Sequence, residues 1–174
     1  MTLTPTAQAP RLDLPLTGGG TTDDLGLGTG ADGRFSLVIF FRGLHCPACR
    51  KQLGELEKRA DELREAGIGR VLAVSMETEE RSETLVEKWK LSDLAVAHGL
   101  SEEDARTWGL FVSTAINDGE PDRFNEPGMF VLDADGTLFW SSVASMPFGR
   151  PPLDDLIAGL KFVQEKDYPA RGAA

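Results

Sequence analysis

The chain has 174 residues, of which 41% are hydrophobic and 26% charged, a composition typical of one globular domain with a sizeable core. Eighteen lysines and arginines face 28 aspartates and glutamates, so the formal net charge is -10. A chain this acidic lacks the basic surface that nucleic acids and anionic membranes require, and we expect neither as a partner. The first 20 residues contain no basic stretch followed by an apolar run, and no apolar run reaches 18 residues, so we expect a cytoplasmic protein.

The N-terminal residues 1–34 are predicted to be an extension made mostly of loops, because prolines and glycines recur throughout. The alternating leucines from Leu12 to Leu16 predict a short strand, which Pro15 would hold at the edge of a sheet. The glycines of Gly28–Gly33 have the spacing of a dinucleotide-binding fingerprint. They precede a strand instead of joining a strand to a helix, so we interpret them as a turn.

The next segment predicts a strand, a helix and a second strand. Residues 35–41 form an almost unbroken apolar run, which is typical of a central strand covered on both faces. A helix is expected to begin at Cys46, with Pro47 in its first turn, and to end before Gly67. Residues 70–76 predict the second strand, so the three elements form a right-handed βαβ unit.

From residue 77 to residue 106 the chain is acidic, and its charges are interpreted as the solvated face of a helix that contains Leu85 and Trp89. A short strand is expected at residues 94–97 and a helix N-cap at Ser101. Residues 112–127 show no regular pattern. The rest of the chain predicts a hairpin from strands at 128–133 and 137–141, followed by a last helix after Pro151 and Pro152.

Cys46 and Cys49 are the only cysteines in the sequence. Two cysteines this close together close too short a loop to stabilise a fold appreciably. A zinc site needs about four ligands, and His45 and His98 are the only histidines, so no metal is expected. Inert buried thiols remain an alternative, but thiol redox chemistry is the favoured interpretation.

The predicted helix start makes this pair reactive. At the N-cap, the Cys46 sulfur would face unpaired backbone N–H groups and the positive end of the helix dipole, which favour a thiolate. Cys49 follows one turn later, within reach to attack an oxidised Cys46. Arg42 belongs to a group of four bases between residues 33 and 54, where the sequence has no acid. His45 either stabilises the thiolate when protonated or is an exposed loop histidine.

The segment Phe40–Arg50, with its CPAC motif, resembles the thioredoxin-fold superfamily, and most closely its peroxiredoxin-like AhpC/TSA branch. The resemblance implies an α/β, thioredoxin-like three-layer sandwich with a central mixed sheet and helices on both faces. It divides the single domain into an N-terminal extension at 1–34, a thioredoxin-like domain at 35–168 with an insert at about 77–127, and a tail at 169–174.

The resemblance also implies a cis-proline that faces the two cysteines, and Pro127 stands at that position. Two departures accompany it. Peroxiredoxins have a threonine where this chain has Gly43, and an arginine that holds the peroxide roughly where it has Pro127. Arg42 and Arg150 are the candidate replacements for that arginine.

Three functions remain open. The first is a thiol–disulfide oxidoreductase without a cofactor, in which Cys46 is the nucleophile, Cys49 resolves, and Pro127, His45, Pro47 and Arg42 support the site. The second is a peroxiredoxin-like peroxidase that forms a sulfenic acid on Cys46. Both need a disulfide or peroxide substrate and an upstream thiol reductant. The third is a non-catalytic binding module that docks a partner on the acidic surface 77–106. The sequence leaves the oligomeric state open.

Overall fold

The computed structural model describes residues 3–30 and 32–174, which form seven strands, five α-helices and a short 3-10 helix. Met1, Thr2 and Ala31, which belong to the predicted N-terminal extension, lie outside the described residues. The strands are β1 (Phe35–Phe40), β2 (Ile68–Val74), β3 (Ala95–Ala97), β4 (Val112–Thr114), β5 (Arg123–Asn125), β6 (Gly128–Leu132) and β7 (Leu138–Val143). The α-helices are α1 (Pro47–Lys58), α2 (Ala60–Glu65), α3 (Glu79–Trp89), α4 (Glu102–Thr107) and α5 (Leu153–Lys166), and a short 3-10 helix (Thr22–Leu25) precedes β1.

Five of the strands form a central mixed sheet in the order β3-β2-β1-β6-β7. Strand β1 pairs in parallel with β2, and β2 pairs in parallel with β3, while β6 lies antiparallel to both β1 and β7. The predicted α/β architecture around a mixed sheet is therefore confirmed. None of the described helices is long and apolar enough to cross a membrane.

Two apolar cores cover the two faces of the sheet, as the unbroken apolar run of β1 predicts. Leu37 and Ile39 point into the core formed with α1, α2, α3 and α5, and Val38 and Phe40 point into the opposite core. That second core contains Trp108, whose ring centroid lies 5.0 Å from that of Phe40. Every residue of β1 is buried, so the strand fixes the position of the loop that follows it.

The N-terminal leucines do not form the predicted edge strand. Leu12 and Leu14 are buried against the second core, but the segment makes only isolated bridges, such as that between Leu16 and Ala97. The reason is that its backbone pairs locally: the Leu14 N–H donates to the Thr22 hydroxyl, and the Thr22 N–H donates to the Leu14 carbonyl.

Two further elements differ from the sequence prediction. The first predicted helix is interrupted at Arg59, which has φ -111° and ψ 24° and separates α1 from α2. Residues 112–127 contain the antiparallel pair β4–β5, which forms a separate two-stranded sheet. Strands of three residues are too short to show an alternating pattern, so the sequence did not indicate them.

Candidate active site

Cys46 is the N-cap of α1, as predicted. Its backbone is extended, with φ -105° and ψ 104°, and Pro47 occupies the start of the helix and is exposed. The Cys46 sulfur accepts a hydrogen bond from the Cys49 backbone N–H at 3.2 Å. This is the contact that a capping oxygen makes at other helices, so the sulfur satisfies one of the free N–H groups of the first turn.

Glu77, just after β2, holds the turn that precedes Cys46. Its carboxylate is buried and accepts the Leu44 N–H at 2.8 Å, while its second oxygen lies 2.5 Å from Arg81 Nε. Gly43 has φ +129°, and a β-carbon there would overlap the Glu77 carboxylate. The carboxylate therefore fills the space that a threonine side chain at this position would need.

Both cysteines are reduced and buried, with 1% of Cys46 and none of Cys49 exposed. The hydrogen bond from the Cys49 thiol is the largest cause that lowers the pKa of Cys46, from 9.0 to about 6, against the opposing effect of burial. Burial, followed by that same hydrogen bond, raises the pKa of Cys49. Like charges this close cannot both form near neutral pH. The pair is therefore a Cys46 thiolate beside a Cys49 thiol.

Arg150 brings a positive charge to the two sulfurs from the segment between β7 and α5. Its Nη2 atom lies 3.0 Å from the Cys49 sulfur and 3.7 Å from the Cys46 sulfur. Its Nη1 atom donates to the Gln52 side-chain oxygen, and its Nε donates to the Pro147 carbonyl at 2.9 Å. These contacts fix the guanidinium plane, so its charge is directed at the sulfur pair. The Arg150 charge contributes to the lowered pKa of Cys46.

Arg42 supports the site differently from Arg150. Its guanidinium lies 3.2 Å from a Glu126 oxygen and 3.6 Å from a Glu120 oxygen, and stacks 4.6 Å above the centre of the Phe124 ring. The nearer contact is electrostatic, because the Arg42 Nε and the Glu126 oxygen make no directed hydrogen bond. Two carboxylates thus pair with the side chain. Its direct contact with the cysteines is the backbone N–H, which donates to the Cys49 sulfur at 3.4 Å.

His45 matches neither of its two predicted roles. Burial, followed by the charge of Arg42, lowers the pKa of His45 below its ordinary 6.5, so the imidazole is uncharged at neutral pH. It is also no exposed loop residue. Both ring nitrogens are buried without a hydrogen-bond partner among the described residues, and the ring lies 4.8 Å from that of Phe124.

The prediction of a cis peptide bond at Pro127 is wrong, since the described residues contain no cis peptide bond. Pro127 links the end of β5 to the start of β6 in trans, and its carbonyl accepts the Ala144 N–H at 3.0 Å. This pairing extends the β6–β7 ladder and keeps the connection extended. Pro127 still lies near the site, because it lines a small cavity together with Arg150.

The model of the AhpC/TSA family matches residues 5–141, which is most of the chain. The chain belongs to the AhpC/TSA family. It is a thiol-dependent oxidoreductase, and its Cys46–Cys49 pair fits a CxxC motif. A search of curated proteins finds no significant match.

Solved structures of peroxiredoxins share the fold of this AhpC/TSA protein. The peroxidoxin BcpB of Mycobacterium tuberculosis is 16% identical, with a TM-score of 0.71 over 92% of this chain and 98% of that one. Reduced Prx3 of Vibrio vulnificus in complex with H2O2 is 16% identical, with a TM-score of 0.74 over 91% and 99%. The peroxiredoxin-like protein from Aquifex aeolicus is 16% identical, with a TM-score of 0.72 over 94% and 89%. The predicted thioredoxin-like fold is confirmed.

Sequence reasoning missed several side chains of this AhpC/TSA site. Glu77, Glu126 and Gln52 received no role, and Arg150 entered only as a candidate replacement for the missing arginine. The one available signal was the position of Arg150 in the proline-rich run Pro147–Pro152. In the described part of the chain, no group of three or more His, Cys, Asp or Glu side chains is arranged to hold a metal ion.

Proposed function

We propose that the protein reduces hydroperoxides, with Cys46 as the nucleophile and Cys49 as the resolving thiol. The observation that carries this proposal is a Cys46 thiolate that is only 1% exposed, with the Arg150 guanidinium 3.7 Å away. A folded protein's disulfide could reach a sulfur this deeply buried only if the surrounding loops moved, whereas a small hydroperoxide needs far less room. The guanidinium replaces the peroxide-holding arginine that Pro127 displaces.

In the first step the Cys46 thiolate attacks the terminal oxygen of ROOH. An S–O bond forms, the O–O bond breaks, and the alkoxide leaves with the electron pair of that bond. The Cys49 thiol is the acid next to this reaction, because its hydrogen bond is the largest cause that lowers the pKa of Cys46. It transfers its proton to the alkoxide, which leaves as ROH.

In the second step the new Cys49 thiolate attacks the sulfur of the Cys46 sulfenic acid and expels hydroxide, which is protonated to water. Arg150 Nη2, 3.0 Å from the Cys49 sulfur, stabilises this thiolate although burial disfavours it. The hydroperoxide gains two electrons and the dithiol becomes a disulfide. An upstream thiol must then return two electrons to the pair.

A single-turnover experiment tests the proposal. The reduced protein, free of added thiol, is mixed with one equivalent of H2O2 or cumene hydroperoxide, and remaining peroxide and protein thiols are measured. Wild type is expected to consume one equivalent and to form the disulfide. Cys49→Ser is expected to consume one equivalent and to keep a sulfenic acid that dimedone labels, and Cys46→Ser to consume none.

The same proteins also test the alternative function, thiol–disulfide exchange. This alternative is favoured by Gly43 and Pro127, which stand where peroxiredoxins have the threonine and the peroxide-holding arginine. If wild type reduces insulin disulfides while peroxide remains unconsumed, the peroxidase proposal is wrong and disulfide exchange is the function.

A further inference from the structure

A cleft of about 480 Å³ lies between α1 and the segment 147–154, and one of its lining residues, Arg150, contacts both cysteine sulfurs. This volume lies within the range of small-ligand sites. Phe148, which is 70% exposed, Pro147 and Leu153 provide apolar surface. Gln52 and Arg150 line the cleft on the side of the sulfurs. The mechanism above uses none of the cleft beyond Arg150.

Arg150 connects this cleft to the redox pair. It lines the cleft and also donates from Nη2 to both sulfurs. When Cys46 and Cys49 form a disulfide, the thiolate that this guanidinium neutralises is gone. The guanidinium is then available to a new anion that arrives from the cleft, and an attacking thiolate is such an anion.

The charged groups of the cleft indicate what kind of molecule carries that thiolate. Arg59 and Asp154 pair with each other at 2.7 Å. Lys51 and Glu55, one turn apart on α1, also line the cleft, and neither makes an ion pair with any side chain in residues 3–30 or 32–174. The two groups offer an ammonium and a carboxylate, which complement a ligand that bears both carboxylate and ammonium groups.

We propose that this cleft binds a low-molecular-weight thiol with carboxylate and ammonium groups, a cysteine-containing short peptide, and that this thiol reduces the Cys46–Cys49 disulfide. The inference rests on the proposed function, because it names the reductant of that cycle. The thiolate attacks one sulfur of the disulfide, and the other cysteine leaves as a thiolate that Arg150 stabilises. A second thiol molecule attacks the mixed disulfide, so two thiols become one disulfide and the protein regains its dithiol.

The experiment starts from the disulfide form prepared with diamide, so that no peroxide is involved. Reduction is followed by quenching with an alkylating agent and mass spectrometry, with glutathione as the thiol that carries carboxylate and ammonium groups and 2-mercaptoethanol as the neutral thiol. Lys51→Glu reverses the charge in the cleft. Lys58→Glu, on the same helix but outside the cleft, is the matched control.

The rate with glutathione is expected to saturate with concentration in wild type, and the rate with 2-mercaptoethanol to remain linear. The ratio of the two rates is expected to fall at least fivefold in Lys51→Glu and to stay within twofold of wild type in Lys58→Glu. Dividing by the 2-mercaptoethanol rate removes any general change in cysteine reactivity. An equal ratio in all three proteins, or a disulfide that only a protein dithiol reduces, would overturn the inference. Saturable glutathione reduction in a protein that consumes no peroxide would leave the inference standing and refute only the proposed function.

Discussion

Replacing Cys49 by alanine removes the hydrogen bond that contributes most to the low pKa of Cys46. A hydrogen bond to a charged group contributes about 1.5–3 kcal/mol, which corresponds to about 1–2 pKa units at 1.36 kcal/mol each. The pKa of Cys46 is thus expected to rise from about 6 to about 7–8. The thiolate fraction at pH 7 would fall from about 90% to about 10–50%. Cys49→Ser keeps an O–H donor and is expected to produce a smaller rise.

The alanine and serine variants each contain a single cysteine, so thiol titration reports on Cys46 alone. The thiolate absorbance near 240 nm and the rate of alkylation by iodoacetamide are measured between pH 4 and 10. In wild type, mass spectrometry assigns the alkylated cysteine. A pKa near 6 in Cys49→Ala, equal to that of Cys49→Ser, would refute the argument that the neighbouring thiol holds the charge on Cys46.

Three other predictions concern stability and rate. The pKa of Cys46 in the folded protein lies below the 9.0 of the unfolded chain, so ionisation of Cys46 stabilises the folded state. This stabilisation is fully present above pH 9 and is lost as pH falls through about 6. The difference in free energy of unfolding between wild type and Cys46→Ala should therefore grow by about 1 kcal/mol per pH unit between pH 6.5 and 8.5; a constant difference in urea titrations would contradict this. Gly43→Ala should lower the free energy of unfolding by about 1–3 kcal/mol, since a β-carbon overlaps the Glu77 carboxylate at φ +129°. Gly54→Ala, with open space around it, is the matched control and should leave stability unchanged or raised. Arg150→Gln should slow disulfide formation after a pulse of H2O2 by about 10-fold or more, and an unchanged rate would show that the guanidinium plays no part in resolution.

The sequence predicted the framework of the site because its signals are local. The apolar run of β1 and the proline that follows Cys46 together locate the start of α1, and that placement makes Cys46 the N-cap. The spacing of Cys49 then puts it one turn further along the same helix. Each of these inferences depends on neighbours within a few residues, so no tertiary information was needed.

The side chains around the sulfurs could not be predicted in this way. Arg150 contacts a cysteine 101 positions away, and this contact depends on how the segment between β7 and α5 returns across the sheet. Glu77 reaches the turn before Cys46 because β2 lies beside β1. Two carboxylates from the unpredicted β4–β5 region pair with Arg42. The cis-proline prediction came from the family resemblance and not from a local signal. In the structure the peptide bond at Pro127 is trans, and the Pro127 carbonyl accepts the Ala144 N–H.

The pH dependence of the single-turnover reaction with H2O2 tests most directly whether the Cys46 thiolate carries out the attack. The second-order rate constant of wild type is measured by stopped flow between pH 4.5 and 9.5. It is predicted to rise with a midpoint at about pH 6 and to be nearly constant from pH 7.5 upward. A rate that keeps rising to a midpoint above about 8.5, the value of an ordinary thiol, would contradict the account.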